Sequence, residues 1–286
     1  MRVSLPAALV EHAREFTEGR RTAAEPRDAA TVILMRPGVD GRAGPELYLL
    51  RRQTSMAFAG GMCVFPGGGV DPRDFDQGVA WSGPAPSVWA DHLRTSEEMA
   101  RALVCAAVRE TFEESGVLLA GPSADEVVAD TTGEEWEADR RALEGKDLAL
   151  TAFLEGRGLV LRTDLLGAWS GWCTPEFEPR RFRTWFFVAA LPPGQRTRDV
   201  STESSSVTWM SALGACDAVD AEQIGMMPPT YVSCLEVGQY ADPDAVLAAA
   251  PGRDLTMFTP AVERDGEGAT MSVPDRVTPL LEARGG

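Results

Sequence analysis

Three carboxylates stand where a helix is least able to accept them, in Arg109-Glu110-Thr111-Phe112-Glu113-Glu114-Ser115-Gly116-Val117. Thr95 with Glu98 has the T-x-x-E form of a capping box, so a helix is expected from Thr95 through the apolar run Met99 to Val108. Gly116 is a natural stop. Glu110, Glu113 and Glu114 then share one face of the last turns, at i, i+3 and i+4. The negative end of the helix dipole repels each by roughly 0.3–1 kcal/mol when exposed, and they repel one another. A hard divalent cation such as Mg²⁺, shared between carboxylates and a phosphate-bearing substrate, would resolve that conflict. The plain alternative is a solvated acidic helix end in an acidic protein.

The flanking residues favour chemistry. R-E-x-x-E-E-x-G followed by an aliphatic residue is the second half of the Nudix box, matched from Arg109 to Val117 without a mismatch. Phe65-Pro66-Gly67-Gly68-Gly69-Val70-Asp71 is a counterpart of the first half. The chain thus resembles the Nudix hydrolases, which cleave a diphosphate linked to a nucleoside using divalent metal. Gly68 and Arg109 are 41 positions apart where the usual box has 14, leaving 27 extra residues, most of them in the Asp-, Pro- and Trp-rich stretch 71–94. Arg101 stands where the box usually has a glutamate, with Glu97 one turn upstream on the same face. An interrupted box of this kind is similar to the insertion-bearing subfamily that includes the peroxisomal coenzyme A diphosphatase of mammals. Trp172-Cys173-Thr174-Pro175 and Pro179-Arg180-Arg181-Phe182-Arg183-Thr184-Trp185-Phe186-Phe187 resemble that subfamily's W-x-T-P…P-R-R-F-x-T-x-F-F pattern.

The resemblance implies roles residue by residue. Glu110, Glu113, Glu114 and the Gly67 carbonyl would hold Mg²⁺ or Mn²⁺; Glu113, Glu114 or Glu203 would serve catalysis, one of them accepting a proton from the attacking water. Glu203 is six residues before Trp209, and Glu176 and Glu178 are further candidates for its role. Arg109, Gly68 and Gly116 are expected to shape the site, Arg109 by holding a carboxylate. Arg52, Arg180 and Arg181, with Arg51 and Arg183 behind them, would bind substrate phosphates through forked hydrogen bonds. Ala57 stands where the coenzyme A-type enzymes carry a second arginine. The glycines alone could be a tight turn, and the arginines and Glu203 ordinary surface charges. Trp81 and Trp89 could stack a base, or anchor the insertion on the core. Coenzyme A or acyl-coenzyme A, yielding 3′,5′-ADP and (acyl-)4′-phosphopantetheine, is the expected substrate. The alternatives are a pyrophosphatase for ADP-ribose or NADH, and a Nudix-like module that binds nucleotide without cleaving it.

The elements that must position these residues read as α/β. Strands are expected at Thr31–Arg36 and Leu47–Arg52, separated by the turn-rich stretch Pro37–Pro45, and at Met62–Phe65, Arg183–Leu191 (stopped by Pro192-Pro193) and Val207–Met210. Polar residues 121–146 read as a loop or short helical elaboration, 147–155 as a helix, and two helices are expected between Pro229 and Ala250. The tail beyond Pro251 reads as returning strands. Together with the resemblance this implies an α/β/α sandwich with a mixed sheet and helical additions. Residues 1–286 are expected to form one domain, with a core of about 28–240, the insertion 71–94 and a C-terminal extension 241–286.

Composition narrows the function classes. A net charge of −16 opposes nucleic acid as main partner, because duplex binding depends on basic patches. Lys146 is the only lysine and the histidines are two, which disfavours Schiff-base chemistry, a Ser-His-Asp triad and a polyhistidine metal site. No apolar run is long enough to span a bilayer. Five dispersed cysteines without a C-x-x-C pair read as buried thiols of a reducing compartment. With neither a secretory apolar core at the start nor S-K-L at the end, a cytoplasmic location is expected. The expected partners are a small nucleotide substrate and a second copy in a homodimer.

Overall fold

The structure is a computed structural model, and it describes residues 7–20, 22–39, 41, 43–54, 59–200, 202, 204–265 and 268–285. Helix α1 (Ala7–Thr17) precedes strands β1 (Arg27–Pro37), β2 (Pro45–Arg52), β3 (Cys63–Val64) and β4 (Gly67–Gly69). The insertion holds a 3₁₀ turn (Pro72–Phe75), β5 (Trp81–Ser82) and α2 (Pro86–Leu93), and leads into α3 (Glu97–Ser115). There follow β6 (Ala120–Gly121), α4 (Glu134–Glu144), α5 (Leu150–Gly156), β7 (Val160–Arg162), β8 (Leu166–Cys173), β9 (Phe182–Ala190) and β10 (Ser204–Ser211). Helices α6 (Ala212–Asp220), α7 (Pro228–Val237) and α8 (Pro243–Ala249), strands β11 (Met257–Phe258), β12 (Val262–Asp265) and β13 (Gly268–Met271), and α9 (Thr278–Gly285) complete the chain.

The main sheet has the order β10-β2-β1-β9-β8-β11, with β3 added to β2 and β4 to β1. It is mixed: β1 runs parallel to β9, and β11 to β8, while the other pairs are antiparallel. Period-two alternation splits each central strand between two cores. Ala30, Val32 and Leu34 of β1, Tyr48 and Leu50 of β2, and Trp185, Phe187 and Ala189 of β9 face the layer of α2, α3 and α5. Ile33 and Met35, Leu47 and Leu49, and Phe186 and Val188 face α6, α7 and α8. The result is the α/β/α sandwich with mixed sheet that the sequence implies.

Several expectations shift. The cap of α3 is Ser96, whose Oγ accepts from the Met99 N–H, and not Thr95. The Thr95 N–H is used to finish α2, donating to the Ala90 carbonyl at 3.1 Å. Strand β8 and helices α2 and α6 are additional elements, and 121–146 contains α4. The tail returns as short strands but closes with α9. Trp89 is buried and meets Phe187 edge-on at 5.9 Å, so it anchors α2 on the sheet. All five cysteines are buried and free. Among the described residues, no helix is long and apolar enough to cross a membrane.

Candidate functional site

Strand β4 carries the glycines to α3. Its register on β1 (Ala29 with Gly69, Ala30 with Gly68, Thr31 with Gly67) lays its backbone against the C-terminal half of the helix. The Gly67 N–H donates to Glu114 Oε2 at 2.8 Å. The Glu110 carboxylate lies against Gly68 so closely that a Cβ there would stand 2.4–2.7 Å from its atoms. Gly68→Ala is therefore expected to displace Glu110 and lower turnover at least about tenfold, while the circular dichroism spectrum and melting temperature stay near wild type. Gly116 adopts φ of +74°, caps the helix by donating to Phe112, and leaves no room for a side chain beside Arg198.

Arg109 is the hub. Nε and Nη2 donate to the two oxygens of Asp74 at 3.0 and 2.9 Å. Nη1 reaches Glu110 at 2.8 Å and Glu113 at 3.2 Å, and Nη2 also reaches the Gly69 carbonyl at 3.1 Å. Burial pulls its pKa down, but the Asp74 bond and the surrounding carboxylates raise it above the ordinary arginine value. Asp74 was not anticipated; the signal was present in Asp71-Pro72-Arg73-Asp74, where Asp71 caps the 3₁₀ turn and the Asp74 side chain accepts from the Asp71 N–H at 2.8 Å. Arg140 was likewise missed. It is 2% exposed and donates to the Glu113 carbonyl at 2.7 Å.

One guanidinium thus stands among Asp74, Glu110, Glu113 and, through Gly67, Glu114. That negative excess shows in Glu113: burial and the Glu110 charge push its pKa from 4.5 up to about 7, against the lowering effect of Arg109. Between those values the unfolded chain has released the proton that the folded chain keeps, so this group makes stability fall as pH rises through that window. In metal-free buffer, Glu113→Gln is expected to remove that fall, melting above wild type at pH 8 and near it at pH 5. Equal pH slopes for the two proteins would count against this reading.

The donor set suits a hard cation: carboxylate oxygens and backbone carbonyls, in negative excess, around a glycine too close to Glu110 for a side chain. Among the described residues no three His, Cys, Asp or Glu side chains are arranged to hold a metal ion; Glu110 and Glu113 are bonded to Arg109, and Glu114 to the Gly67 N–H.

The other candidate residues lie at different places. Arg52 ends β2 on the α3 side of the sheet, two residues beyond Leu50. The nitrogens of Arg181 are engaged by the Thr174 carbonyl at 3.1 Å, the Ala24 carbonyl at 2.9 Å and the Cys173 sulfur at 3.6 Å, so it holds the 174–182 turn together. Arg180 is exposed on a cavity of about 520 Å³ also lined by Arg27 and Phe182. Arg183 pairs with Asp28 at 2.7 Å. Glu178 is half-buried and burial raises its pKa, with His12 of α1 nearby, and Glu176 is exposed. Arg101 stacks on Trp81 at 4.9 Å, so Trp81 also serves as an anchor of the insertion. Arg51 pairs with Cys63 across β2 and β3. Glu203 and Ala57 lie outside the described residues.

The chain is similar to known proteins along most of its length. It is 26% identical over 223 residues to "Putative nudix hydrolase 7" of Caenorhabditis elegans, covering 76% of this chain and 62% of that protein. It is 26% identical over 256 residues to "Acyl-coenzyme A diphosphatase NUDT19" of Gallus gallus, covering 72% of this chain and 66% of that protein. The match therefore spans just under two thirds of these relatives' own length. A crystal structure of a NUDIX hydrolase from Alicyclobacillus acidocaldarius shares the fold, with a TM-score of 0.66 at 23% identity over 79% of this chain and 96% of that one. The description "NUDT19 Nudix domain" fits residues 84–236, more than half of the chain, and the chain belongs to that family.

Proposed function

We propose that the protein is a divalent-metal-dependent diphosphatase that hydrolyses coenzyme A or acyl-coenzyme A to 3′,5′-ADP and (acyl-)4′-phosphopantetheine. The observation that carries this reading is the docking of the glycine strand on the acidic end of α3, with Gly67 bonded to Glu114 and Glu110 pressed on Gly68. Similarity to proteins named acyl-coenzyme A diphosphatase supports the choice of substrate.

Glu110, Glu113, Glu114 and the Gly67 carbonyl would hold Mg²⁺ or Mn²⁺. When bound, such an ion supplies a water of lowered pKa and charge to offset the diphosphate oxygens. Arg109 orients Glu110 and Glu113 by its fork, and Asp74 fixes Arg109 in turn. Glu113 or Glu203 would receive the water's proton. Arg52 and Arg180 would contribute positive charge toward the substrate's phosphates, which must enter an otherwise acidic protein. Arg181 would act there only as a fixed charge, since its nitrogens already have partners.

Incubation with Mn²⁺ or Mg²⁺ and a panel of coenzyme A, acyl-coenzyme A, ADP-ribose, NADH and dinucleoside polyphosphates, read by mass spectrometry, tests the proposal. Appearance of 3′,5′-ADP from coenzyme A is the expected result. Cleavage of ADP-ribose or NADH alone would replace the substrate and keep the chemistry. Binding without cleavage of any compound would reject the enzyme in favour of a nucleotide-binding module.

A further inference from the structure

Helix α4 lies outside both halves of the box, yet it grips the box helix and a distant segment at once. Arg140 donates from Nη1 to the Glu113 carbonyl at 2.7 Å and to Glu144 Oε2 at 3.0 Å. The other Glu144 oxygen accepts from the N–H and hydroxyl of Thr202, at 3.1 and 2.7 Å. One turn earlier, Glu137 accepts from Nε and Nη2 of Arg140 at 2.9 and 2.8 Å, and from Nη1 of Arg198 at 2.9 Å. The backbone of Arg198 closes the circuit: its N–H donates to the Ser115 carbonyl at 2.9 Å, and its carbonyl accepts from the Tyr48 hydroxyl at 2.9 Å.

Capping alone does not account for this arrangement. The Glu113 and Ser115 carbonyls are among the last four of α3 and have no donor within the helix, so some partner is required. A Gly cap and water commonly suffice for exposed ends. Here a guanidinium is buried to reach one of them, which is costly unless its remaining donors are all paired. Glu137 and Glu144 supply that pairing, and each has a second bond to the segment of Arg198 and Thr202. The network is thus two-ended: the same carboxylates that neutralise Arg140 tie that segment to the turn bearing Glu113 and Glu114.

We propose that Arg140 and Glu144 are positioning residues, through which α4 fixes Arg198 and Thr202 against the last turn of α3 and so sets how substrate lies over Glu113 and Glu114. This role rests on the diphosphatase reading. Neither residue touches the reacting atoms; both act through what they hold.

Glu144→Ala removes the carboxylate from one side of the link and Thr202→Val the hydroxyl from the other, both at more exposed positions than Arg140, so both are expected to fold. Each should lower kcat about tenfold with KM changed less than about twofold, since small misplacements of a substrate-positioning shell act mainly on kcat. The double variant should be no worse than the Glu144 variant alone, because the residues share one interaction. Arg140→Lys should recover part of the turnover that Arg140→Met loses. Independently of any substrate or metal, hydrogen exchange at the Arg198 and Thr202 amides should accelerate about tenfold in both single variants, with Val104–Val108 amides unchanged. Unchanged exchange at Arg198 and Thr202 overturns the brace. Faster exchange with wild-type kcat overturns its positioning role, as would additive losses in the double variant. If the wild-type protein cleaves nothing in the panel, the diphosphatase reading fails and the positioning role with it, while the exchange result still decides the brace.

Discussion

Glu114→Gln is expected to lower kcat/KM for coenzyme A by about 10²-fold or more while leaving the fold intact, because a neutral amide cannot replace a charged oxygen ligand to a hard cation. The geometry makes this substitution informative. Glu114 Oε2 accepts the Gly67 N–H at 2.8 Å, and the side-chain oxygen of glutamine can accept the same bond. Strand β4 should therefore stay docked, and the melting temperature without metal should remain within about 2 °C of wild type, as expected for a change well under 1 kcal/mol. What is lost is charge. Adding millimolar Mn²⁺ should raise the melting temperature of the wild-type protein by preferential binding to the folded state, and raise that of the variant much less. Undiminished turnover in the variant would falsify the assignment of Glu114. Lost turnover with an undiminished Mn²⁺ response would move Glu114 from holding the ion to acting on the proton.

The parts of this site that could be read in the sequence are those whose partners are local. The apolar run Met99–Val108, the stop at Gly116 and the i, i+3, i+4 spacing of Glu110, Glu113 and Glu114 all describe one helix, and α3 follows them. The cap was misread by one residue because Thr95 is claimed by the end of α2, an element inside a Pro- and Asp-rich stretch with little helical pattern. Strand β8 escaped notice because it is buried on both faces, so Leu166–Cys173 has no polar alternation to reveal it. Asp74, Arg140 and Arg181 were invisible as partners for a different reason. Asp74 meets Arg109 across 35 positions, Arg140 meets the Glu113 carbonyl across 27, and Arg181 meets the Ala24 carbonyl across 157. No periodicity encodes a bond to a backbone carbonyl that tertiary folding alone brings near. An Asp-rich insertion also offers several equivalent acids, and only the turn at Pro72–Phe75 selects one of them.

Asp74→Ala is expected to destabilise the fold far more than the loss of an exposed acid from the same insertion. Asp74 is 2% exposed and takes both Nε and Nη2 of a buried arginine. Breaking a buried pair of this kind typically costs about 3–5 kcal/mol, since the surviving charge loses its partner without regaining water. Here two effects work against each other. The cluster is over-supplied with acid, so Glu110 and Glu113 can take more of the Arg109 charge and offset part of that loss. Yet Asp74 also accepts from the Asp71 N–H, and losing it loosens the turn that starts the insertion. The lower end, about 3 kcal/mol, is the expected net cost, or a fall of roughly 6–12 °C in melting temperature for a chain of this size. Asp91→Ala, which removes an exposed acid from the same insertion, should change it by less than about 2 °C. Turnover of Asp74→Ala should fall as well, because an Arg109 freed from Asp74 shifts onto the two carboxylates needed for metal. Raising Mn²⁺ should then recover activity in part, by competing with Arg109 for Glu110 and Glu113. A variant with wild-type melting temperature and no response to Mn²⁺ would mean that Asp74 itself holds the ion and that its bonds to Arg109 are secondary.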